Sequence, residues 1–166
     1  MDDDRELWER ICRGDSAAFD GFYREHGARL RNFLRQLLGD AQTAEDVMQE
    51  TFLQLWRKPN GFHPENGTLR CYVFGIGRKR AADWWRQFKP SNDQAAEPSL
   101  LSDALSHLSE EQRSLLWLRE VERLSYGELA HALEIPVGTV RSRLFAAREA
   151  LRKVWRSVPT ARKEGA

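Results

Sequence analysis

The strongest constraint in this sequence is the helical spacing of its apolar residues. A clear example lies between residues 43 and 58, where the stripe consists of Val47, Met48, Thr51, Phe52 and Leu55. Intervals of three and four residues place side chains on one face of an α-helix, where they can be buried together. No segment shows the alternation of apolar and polar residues that is typical of a β-strand. The sequence therefore predicts an all-α protein.

Capping residues indicate where the first helices begin and end. Asp15 and Ser16 can cap a helix that ends at Gly39, because glycine readily adopts the left-handed conformation found after helices. Thr43-x-x-Asp46 resembles a capping box and predicts that the next helix begins there.

A loop rich in proline, glycine and asparagine follows at residues 59–67. Thr68 is expected to begin a helix that runs to Phe88. Gly75 and Gly77 weaken this helix locally, so tertiary packing must stabilise it.

The second half of the chain contains two further capping boxes, which begin at Ser109 and Ser125. A tight turn at residues 134–136 follows, and Gly138-Thr139 can cap the last helix. The residues that we expect to be buried are Leu115, Leu118 and Val121 in the first helix, Leu129, Ala130 and Leu133 in the second, and Val140, Leu144, Ala147, Leu151 and Val154 in the last.

Residues 90–102 contain two prolines and mostly small or polar residues, without helical periodicity. This composition is typical of a linker. We therefore predict two small helical domains, residues 1–89 and 103–158, joined by a flexible linker and followed by a tail at residues 159–166. The linker is expected to let the domains change their relative orientation.

Charge is distributed unevenly along the chain, although the formal net charge is only +1. Residues 59–90 hold six bases and two acids, and residues 113–166 hold eleven bases and six acids. Between them, residues 91–112 hold five acids and no base. Two basic blocks indicate two surfaces that face anions. Ordinary solvated helix faces are the alternative.

The C-terminal basic block has the pattern of a helix-turn-helix, in which the second helix enters the major groove of DNA. Arg141 and Arg143 can pair with guanine or bind phosphates. Thr139 and Ser142 can bind a phosphate near the helix N-terminus, and Arg148 extends the basic face. A helical bundle with a solvated basic face is the alternative.

The helix predicted at residues 43–58 has a second face that combines acidic, amide and apolar side chains. This face consists of Asp46, Gln49, Glu50, Leu53 and Trp56. Carboxylates beside apolar anchors suit a basic helical partner. A solvated acidic face is the alternative.

The helix predicted at residues 68–88 mixes bases with aromatic residues. The candidate DNA contacts are Arg70, Arg78, Arg80, Trp84 and Trp85. Such a mixture is typical of single-stranded nucleic-acid binding, because cations follow the phosphates and rings stack on bases. Alternatively the aromatic rings belong to the core, and we expect at least one of the two tryptophans to do so.

In this order, the three segments resemble a bacterial RNA polymerase sigma factor of the extracytoplasmic-function (ECF) group. Residues 44–58 resemble the polymerase-binding part of region 2, and residues 67–87 its promoter-melting and minus-ten-reading part. Residues 109–153 resemble region 4, which reads the minus-thirty-five element. The acidic linker and the lack of a region 3 domain fit this group.

The resemblance implies a role for each surface. The face from Asp46 to Trp56 would bind the coiled coil of the polymerase beta-prime clamp, and the loop at residues 61–67 would capture a flipped base. Arg78, Arg80 and Trp84 or Trp85 would contact the minus-ten strand. Arg141, Ser142 and Arg143 would contact the minus-thirty-five duplex. Implied partners are core RNA polymerase, through its beta-prime clamp and beta flap, promoter DNA, and an anti-sigma factor.

Three residues depart from the family pattern. Tyr72 stands where tryptophan is common, Gly77 where alanine is usual, and Lys79 where asparagine is common. These differences affect the expected base preference rather than the resemblance itself.

Other classes of protein receive less support. The four histidines lie at no metal-ligand spacing, and no phosphate loop or nucleophile motif occurs, so we expect no enzyme, catalytic residue, metal or cofactor. Two cysteines cannot form a disulfide framework. No stretch approaches the roughly 18 apolar residues that span a bilayer. With the acidic N-terminus, these features predict a cytoplasmic protein without membrane insertion.

A dimeric helix-turn-helix regulator without sigma activity is the alternative function. Such a regulator would bind duplex DNA without polymerase. The acidic and apolar face around Glu50 would then have no role.

Overall fold

The computed structural model describes residues 2–88 and 104–157, and it contains no β-strand within these ranges. The prediction of an all-α fold is confirmed. The predicted linker at residues 90–102 and the tail at residues 159–166 lie outside the described residues. The helices are α1 (Asp2–Cys12), α2 (Ser16–Leu38), α3 (Ala41–Arg57), α4 (Leu69–Phe88), α5 (Glu110–Leu116), α6 (Tyr126–Leu133) and α7 (Val137–Ser157).

The first domain, residues 2–88, is built around helices α2, α3 and α4, which pack on one another. The apolar stripe predicted on α3 is buried along its whole length. Phe33 of α2 meets Phe74 of α4 with ring centroids 5.5 Å apart, and both side chains are fully buried. This core fixes which faces of α3 and α4 remain outside.

The predicted start and end of α2 are confirmed. The Asp15 carboxylate accepts a hydrogen bond from the backbone N–H of Ala18 at 3.0 Å. At the other end, Gly39 adopts a φ of 76° and donates its N–H to Arg35.

The predicted cap of α3 is wrong. The helix begins at Ala41, and the cap is Asp40, whose carboxylate accepts bonds from the Thr43 N–H at 2.7 Å and the Thr43 hydroxyl at 2.6 Å. These bonds hold the pKa of Asp40 below its usual value. Thr43 therefore lies inside the first turn, because the carboxylate three residues earlier is the stronger acceptor.

Helix α1 was not among the predicted elements. Trp8 and Ile11 are buried, and their spacing of three residues is the signal that identifies them. The Trp8 ring packs edge to face on Phe62, with centroids 5.3 Å apart. Helix α1 therefore supports the loop between α3 and α4, which contains 3-10 turns at Pro59–Gly61 and Pro64–Asn66.

The second domain, residues 104–157, contains both predicted capping boxes. Ser109 and Gln112 cap α5, and Ser125 and Glu128 cap α6. Helix α7 begins at Val137 rather than at the predicted Gly138 cap, because Pro136 already accepts the first backbone bond.

The prediction that Val121 is buried is wrong, because its side chain is 52% exposed. A π-helical turn at Trp117–Val121 continues α5, and the N–H of Glu122 bonds to the carbonyl of Trp117. Because this hydrogen bond spans five residues instead of four, the turn is wider and Val121 is rotated away from the face that carries Leu115 and Leu118. Leu115 and Leu118 stay buried.

The expected burial in α6 and α7 holds only in part. Leu129, Leu133, Val140, Leu144 and Ala147 are buried, as predicted. The residues that are half-buried instead are Ala130, Leu151 and Val154.

The two domains are in contact. Helix α4 packs against α6, and α2 packs against α5. Within the described residues, no helix has the length and apolar character needed to cross a membrane.

Two leucines of α3 test which face of this helix is core. Leu55 is fully buried, whereas Leu53 is 39% exposed. We expect Leu55→Ala to lower the free energy of unfolding, measured with urea, by about 2–5 kcal/mol. The matched Leu53→Ala should change it by less than about 0.5 kcal/mol. Equal losses would show that α3 is oriented differently.

Candidate nucleic-acid and partner interfaces

The five residues predicted on the polar side of α3 form one exposed surface, which we call the α3 face. All of them are exposed: Asp46, Gln49, Glu50, Leu53 and Trp56. The Trp56 ring rests on Phe19 of α2, with centroids 4.9 Å apart, so its position is fixed by packing. The Asp46 carboxylate accepts a bond from Gln42 at 3.1 Å. The α3 face therefore presents Leu53 and a fixed Trp56 ring beside carboxylates.

The cations of α4 do not share one surface, contrary to the grouping that the sequence suggested. Arg80 points toward α3, where its guanidinium donates to the side-chain carbonyl of Gln54 at 3.1 and 2.8 Å and lies 3.8 Å from Glu50. Arg70 and Arg78 point toward the second domain.

Arg70 and Arg78 each meet a carboxylate of the second domain. Arg70 lies 3.9 Å from Glu122, and Arg78 lies 4.0 Å from Glu110. The side chains of Arg70 and Arg78 are only 24% and 19% exposed. In this arrangement neither arginine is open to a nucleic acid.

The two tryptophans of α4 are both half-buried and pack against the core. The indole N–H of Trp85 donates to the carbonyl of Leu37 at 3.0 Å, which fixes that ring to α2. Trp84 contacts Trp85 edge to face at 5.5 Å and lies 5.7 Å from Phe88. Neither tryptophan is fully buried, so part of each ring stays available for stacking.

The loop between α3 and α4 is held by a chain of aromatic contacts. Phe62 is buried between Trp8 and Tyr72, with ring distances of 5.3 and 5.7 Å. Partial burial raises the pKa of Tyr72. A Cβ atom on Gly61 would collide with the Tyr72 hydroxyl, so a larger residue fits there only if the Tyr72 ring moves. A cleft of about 580 Å³ separates this loop from α6 and the turn before α7.

Helix α7 presents most of its predicted DNA contacts to solvent. Arg141, Ser142 and Arg143 are exposed, and Thr139 is half-exposed. The Arg141 guanidinium lies 5.8 Å from the ring of Tyr126, and Arg143 pairs with Glu111.

Arg148 is directed away from this group. Its guanidinium donates to Glu120 of the same domain at 2.7 and 3.2 Å. It therefore extends the basic face less than the sequence suggested.

Phe145 is a candidate contact that sequence reasoning missed. Its side chain is 67% exposed on α7, one turn after Arg141. A phenyl ring there can contact the methyl group of thymine. The sequence contains a signal for this contact, because Phe145 lies between Leu144 and Ala147, which were both predicted to be buried. Both are buried in the structure, and Phe145 is left on the outer face of α7.

Among the described residues, no group of three or more histidine, cysteine, aspartate or glutamate side chains is arranged to hold a metal ion. Cys71 is buried between the domains, and burial raises the pKa of its thiol to about 12. The thiol is therefore protonated at neutral pH.

Comparison with known proteins identifies related sequences along nearly the whole chain. The family models Sigma-70 region 2 and Sigma-70, region 4 match residues 22–89 and 99–151. The chain is 31% identical to the RNA polymerase sigma-H factor of Pseudomonas aeruginosa, over 92% of this chain and 94% of that protein. It is 32% identical to the ECF RNA polymerase sigma factor SigL of Mycobacterium tuberculosis, over 83% of this chain and 89% of that protein.

Two solved structures share the fold. CnrH in complex with the cytosolic domain of CnrY is similar with a TM-score of 0.77 and 24% identity, over 94% of this chain and 99% of that one. RpoE of Bartonella quintana, in complex with the anti-sigma factor NepR, is similar with a TM-score of 0.67 and 23% identity, over 85% of this chain and 98% of that one.

The contact between Gly61 and Tyr72 is testable by a double-mutant cycle. We expect Gly61→Ala to lower the free energy of unfolding by about 1–3 kcal/mol, because the new methyl group collides with the Tyr72 hydroxyl. Adding Tyr72→Phe removes that oxygen, so the double variant should recover part of the loss. Urea unfolding of all four proteins should give a coupling of at least about 0.5 kcal/mol. Additive losses would show that the two residues do not meet.

Proposed function

The chain belongs to the extracytoplasmic-function group of bacterial RNA polymerase sigma factors, and from this membership we propose where it binds polymerase and promoter DNA. It binds core RNA polymerase and directs promoter recognition and transcription initiation. The main support for this function is that one chain contains region 2 followed by region 4. A helix-turn-helix regulator without sigma activity is not favoured, because it does not account for region 2.

The chemistry of transcription belongs to the polymerase, and we infer that this chain contributes no catalytic residue or cofactor. It would act in the cytoplasm, where polymerase and the chromosome meet. We keep residues 1–89 and 103–158 as the proposed bounds of the region 2 and region 4 domains.

The α3 face is the proposed site for the beta-prime clamp of the polymerase. Its apolar anchors, Leu53 and Trp56, are 39% and 37% exposed and lie one helical turn apart, so a partner could cover both of them together. Asp46 and Glu50 beside them complement a basic partner. The beta flap is proposed to bind the region 4 domain.

Helices α4 and α7 are the proposed DNA-binding elements. In region 2, Arg70, Arg78, Arg80, Trp84 and Trp85 would follow the minus-ten strand. The loop at residues 61–67 would capture a flipped base. In region 4, the proposed contacts to the minus-thirty-five duplex are Thr139, Arg141, Ser142, Arg143 and Arg148, together with Phe145.

Energy considerations favour an adapter over an autonomous melting protein. DNA stacking averages about 1.4 kcal/mol per step, so opening about a dozen pairs costs about 17 kcal/mol. Stacking one flipped base on an aromatic ring returns about 1–3 kcal/mol. Stacking one or two captured bases therefore returns far less free energy than opening the duplex costs. The proposed mechanism therefore needs the polymerase to hold the separated strands.

An anti-sigma factor is a further proposed partner. The similar structure of RpoE contains the anti-sigma factor NepR. The exposed α3 face is the surface that such an inhibitor would cover to prevent polymerase binding.

Charge reversal on the α3 face tests the polymerase site. We expect Asp46→Arg to abolish co-elution with core RNA polymerase on a sizing column, because it places a cation against a basic partner. The residue is exposed, so the variant should keep the helical content and unfolding midpoint of the wild type. Glu6→Arg, the same reversal on an exposed site of α1, is the matched control. Normal co-elution of Asp46→Arg would exclude this docking face.

Truncation on α7 tests the proposed duplex contact. Arg141→Ala should weaken binding of the polymerase holoenzyme to its promoter by about 1–3 kcal/mol if the contact to guanine is bidentate. Discrimination among minus-thirty-five sequences should then relax. A purely phosphate contact would instead lower the salt slope by about one and leave discrimination intact. No change in either quantity would show that Arg141 does not contact DNA.

A further inference from the structure

Tyr126 lies at the start of α6 and is held there by its neighbours. It is the first residue of the helix, directly after the Ser125 cap. The Ser125 hydroxyl accepts the N–H of Glu128 at 3.2 Å, and the Glu128 carboxylate accepts the N–H of Ser125 at 2.7 Å. The Tyr126 ring is half-buried and packs against the core. The backbone and the ring of Tyr126 are therefore both fixed in the protein without DNA.

Two arginines lie over this ring, one from the turn before α6 and one from α7. The Arg119 guanidinium is 5.0 Å from the ring centroid, and the Arg141 guanidinium is 5.8 Å from it. Both distances are within the roughly 6 Å at which the face of an aromatic ring attracts a cation. Arg119 also donates to the carbonyl of Leu124 at 2.7 Å, which ties it to the chain just before α6. Arg141 makes no hydrogen bond or ion pair with another described residue through its side chain, so the ring restrains it.

The two arginines of α7 that are proposed to read bases are held in different ways. Arg143 pairs with the carboxylate of Glu111. A carboxylate accepts bonds from the same N–H groups with which a guanidinium binds guanine. An aromatic ring attracts the charge of a guanidinium without accepting those bonds. Arg141 therefore keeps its N–H donors free while its position is restrained, whereas Glu111 occupies part of the donor set of Arg143.

Such a restraint matters because Arg141 is exposed. A free arginine side chain samples many rotamers, and binding one base edge costs the entropy of fixing it. Attraction to a fixed ring lowers that cost, because the side chain is already held near its binding position. A cation over a ring at an exposed site contributes modestly, so removing the ring should weaken the base contact about twofold to fivefold.

We propose that Tyr126 is a positioning residue for base recognition by α7, because its ring holds the Arg141 guanidinium where it can bind a base pair of the minus-thirty-five element. Tyr126 acts through Arg141 and does not itself read the base. The inference rests on the proposed contact between Arg141 and the duplex. It adds a residue of the first helix of the helix-turn-helix to the residues that determine sequence discrimination.

Two substitutions at Tyr126 separate the ring from its hydroxyl group. Tyr126→Phe keeps the ring and is the matched control, whereas Tyr126→Leu removes the ring and keeps an apolar side chain against the core. Arg141→Ala and the double variant with Tyr126→Leu complete the set. Each full-length variant is assembled with core RNA polymerase. The affinity of the holoenzyme is then measured for a promoter fragment selected with the wild type and for its single-base-pair variants in the minus-thirty-five element.

We expect Arg141→Ala to lower discrimination at one base pair by about 5–150-fold if the contact is bidentate. Tyr126→Leu should lower discrimination at the same base pair by about twofold to fivefold and leave the salt slope unchanged, because no charge is removed. Tyr126→Phe should discriminate as the wild type does. In the Arg141→Ala background, Tyr126→Leu should cause no further loss of discrimination, because the arginine through which the ring acts is absent.

A purely structural role for Tyr126 would give a different result. A loosened α6 would lower the affinity for all fragments alike and would lower the urea midpoint, whichever residue occupies position 141. Such a uniform loss, or an equal loss of discrimination with and without Arg141, would overturn the inference. A loss in Tyr126→Phe as large as that in Tyr126→Leu would also overturn it, because the hydroxyl group would then be responsible.

The same measurements separate this inference from the proposed DNA contact. If Arg141→Ala relaxes discrimination and Tyr126→Leu does not, Arg141 reads the duplex without the ring, and only the inference fails. If Arg141→Ala leaves discrimination unchanged, the proposed contact fails and the inference fails with it.

Discussion

The structure depends on helix α4 being approached closely from two sides. A Cβ atom on Gly77 would lie 2.9 Å from a methyl carbon of Leu30 in α2, and one on Gly75 would collide with the backbone of α6. Each glycine costs about 1 kcal/mol of helix stability relative to alanine. Packing on both sides offsets this cost. The same helix therefore completes the core of the first domain and carries the second.

This arrangement places most of the proposed partner sites on different surfaces of one small molecule. The outer side of α3 is exposed because its inner stripe is committed to α2 and α4. Arg70 and Arg78 face the other domain, whereas Arg80 turns back toward Glu50 and the α3 face. The proposed polymerase site on α3 and the proposed DNA contacts Arg70 and Arg78 therefore lie on different surfaces, whereas Arg80 lies beside the proposed polymerase site.

The sequence predicted what depends on local interactions. The α3 stripe and the capping boxes at Ser109 and Ser125 follow from spacing within a few residues, and they are confirmed. Val121 was misplaced because a π-helical turn is selected by packing rather than by residue type. The pairing of Arg70 with Glu122 joins residues far apart in the chain, and it exists only because the domains meet at Gly75. No local pattern carries that information, which is why the α4 cations were assigned to one surface.

The most direct test of this account is the distance between the domains during promoter binding. Cys12 is exposed and Cys71 is buried, so a dye on Cys12 and one on Ser157→Cys would label both domains. Energy transfer between the dyes is measured in the free chain and in complex with core RNA polymerase and promoter DNA. We predict that energy transfer is lower in the promoter complex than in the free chain, because α4 must release the second domain before Arg70 and Arg78 can reach DNA. Equal transfer in both states would contradict it, because α4 would then bind DNA without releasing the second domain.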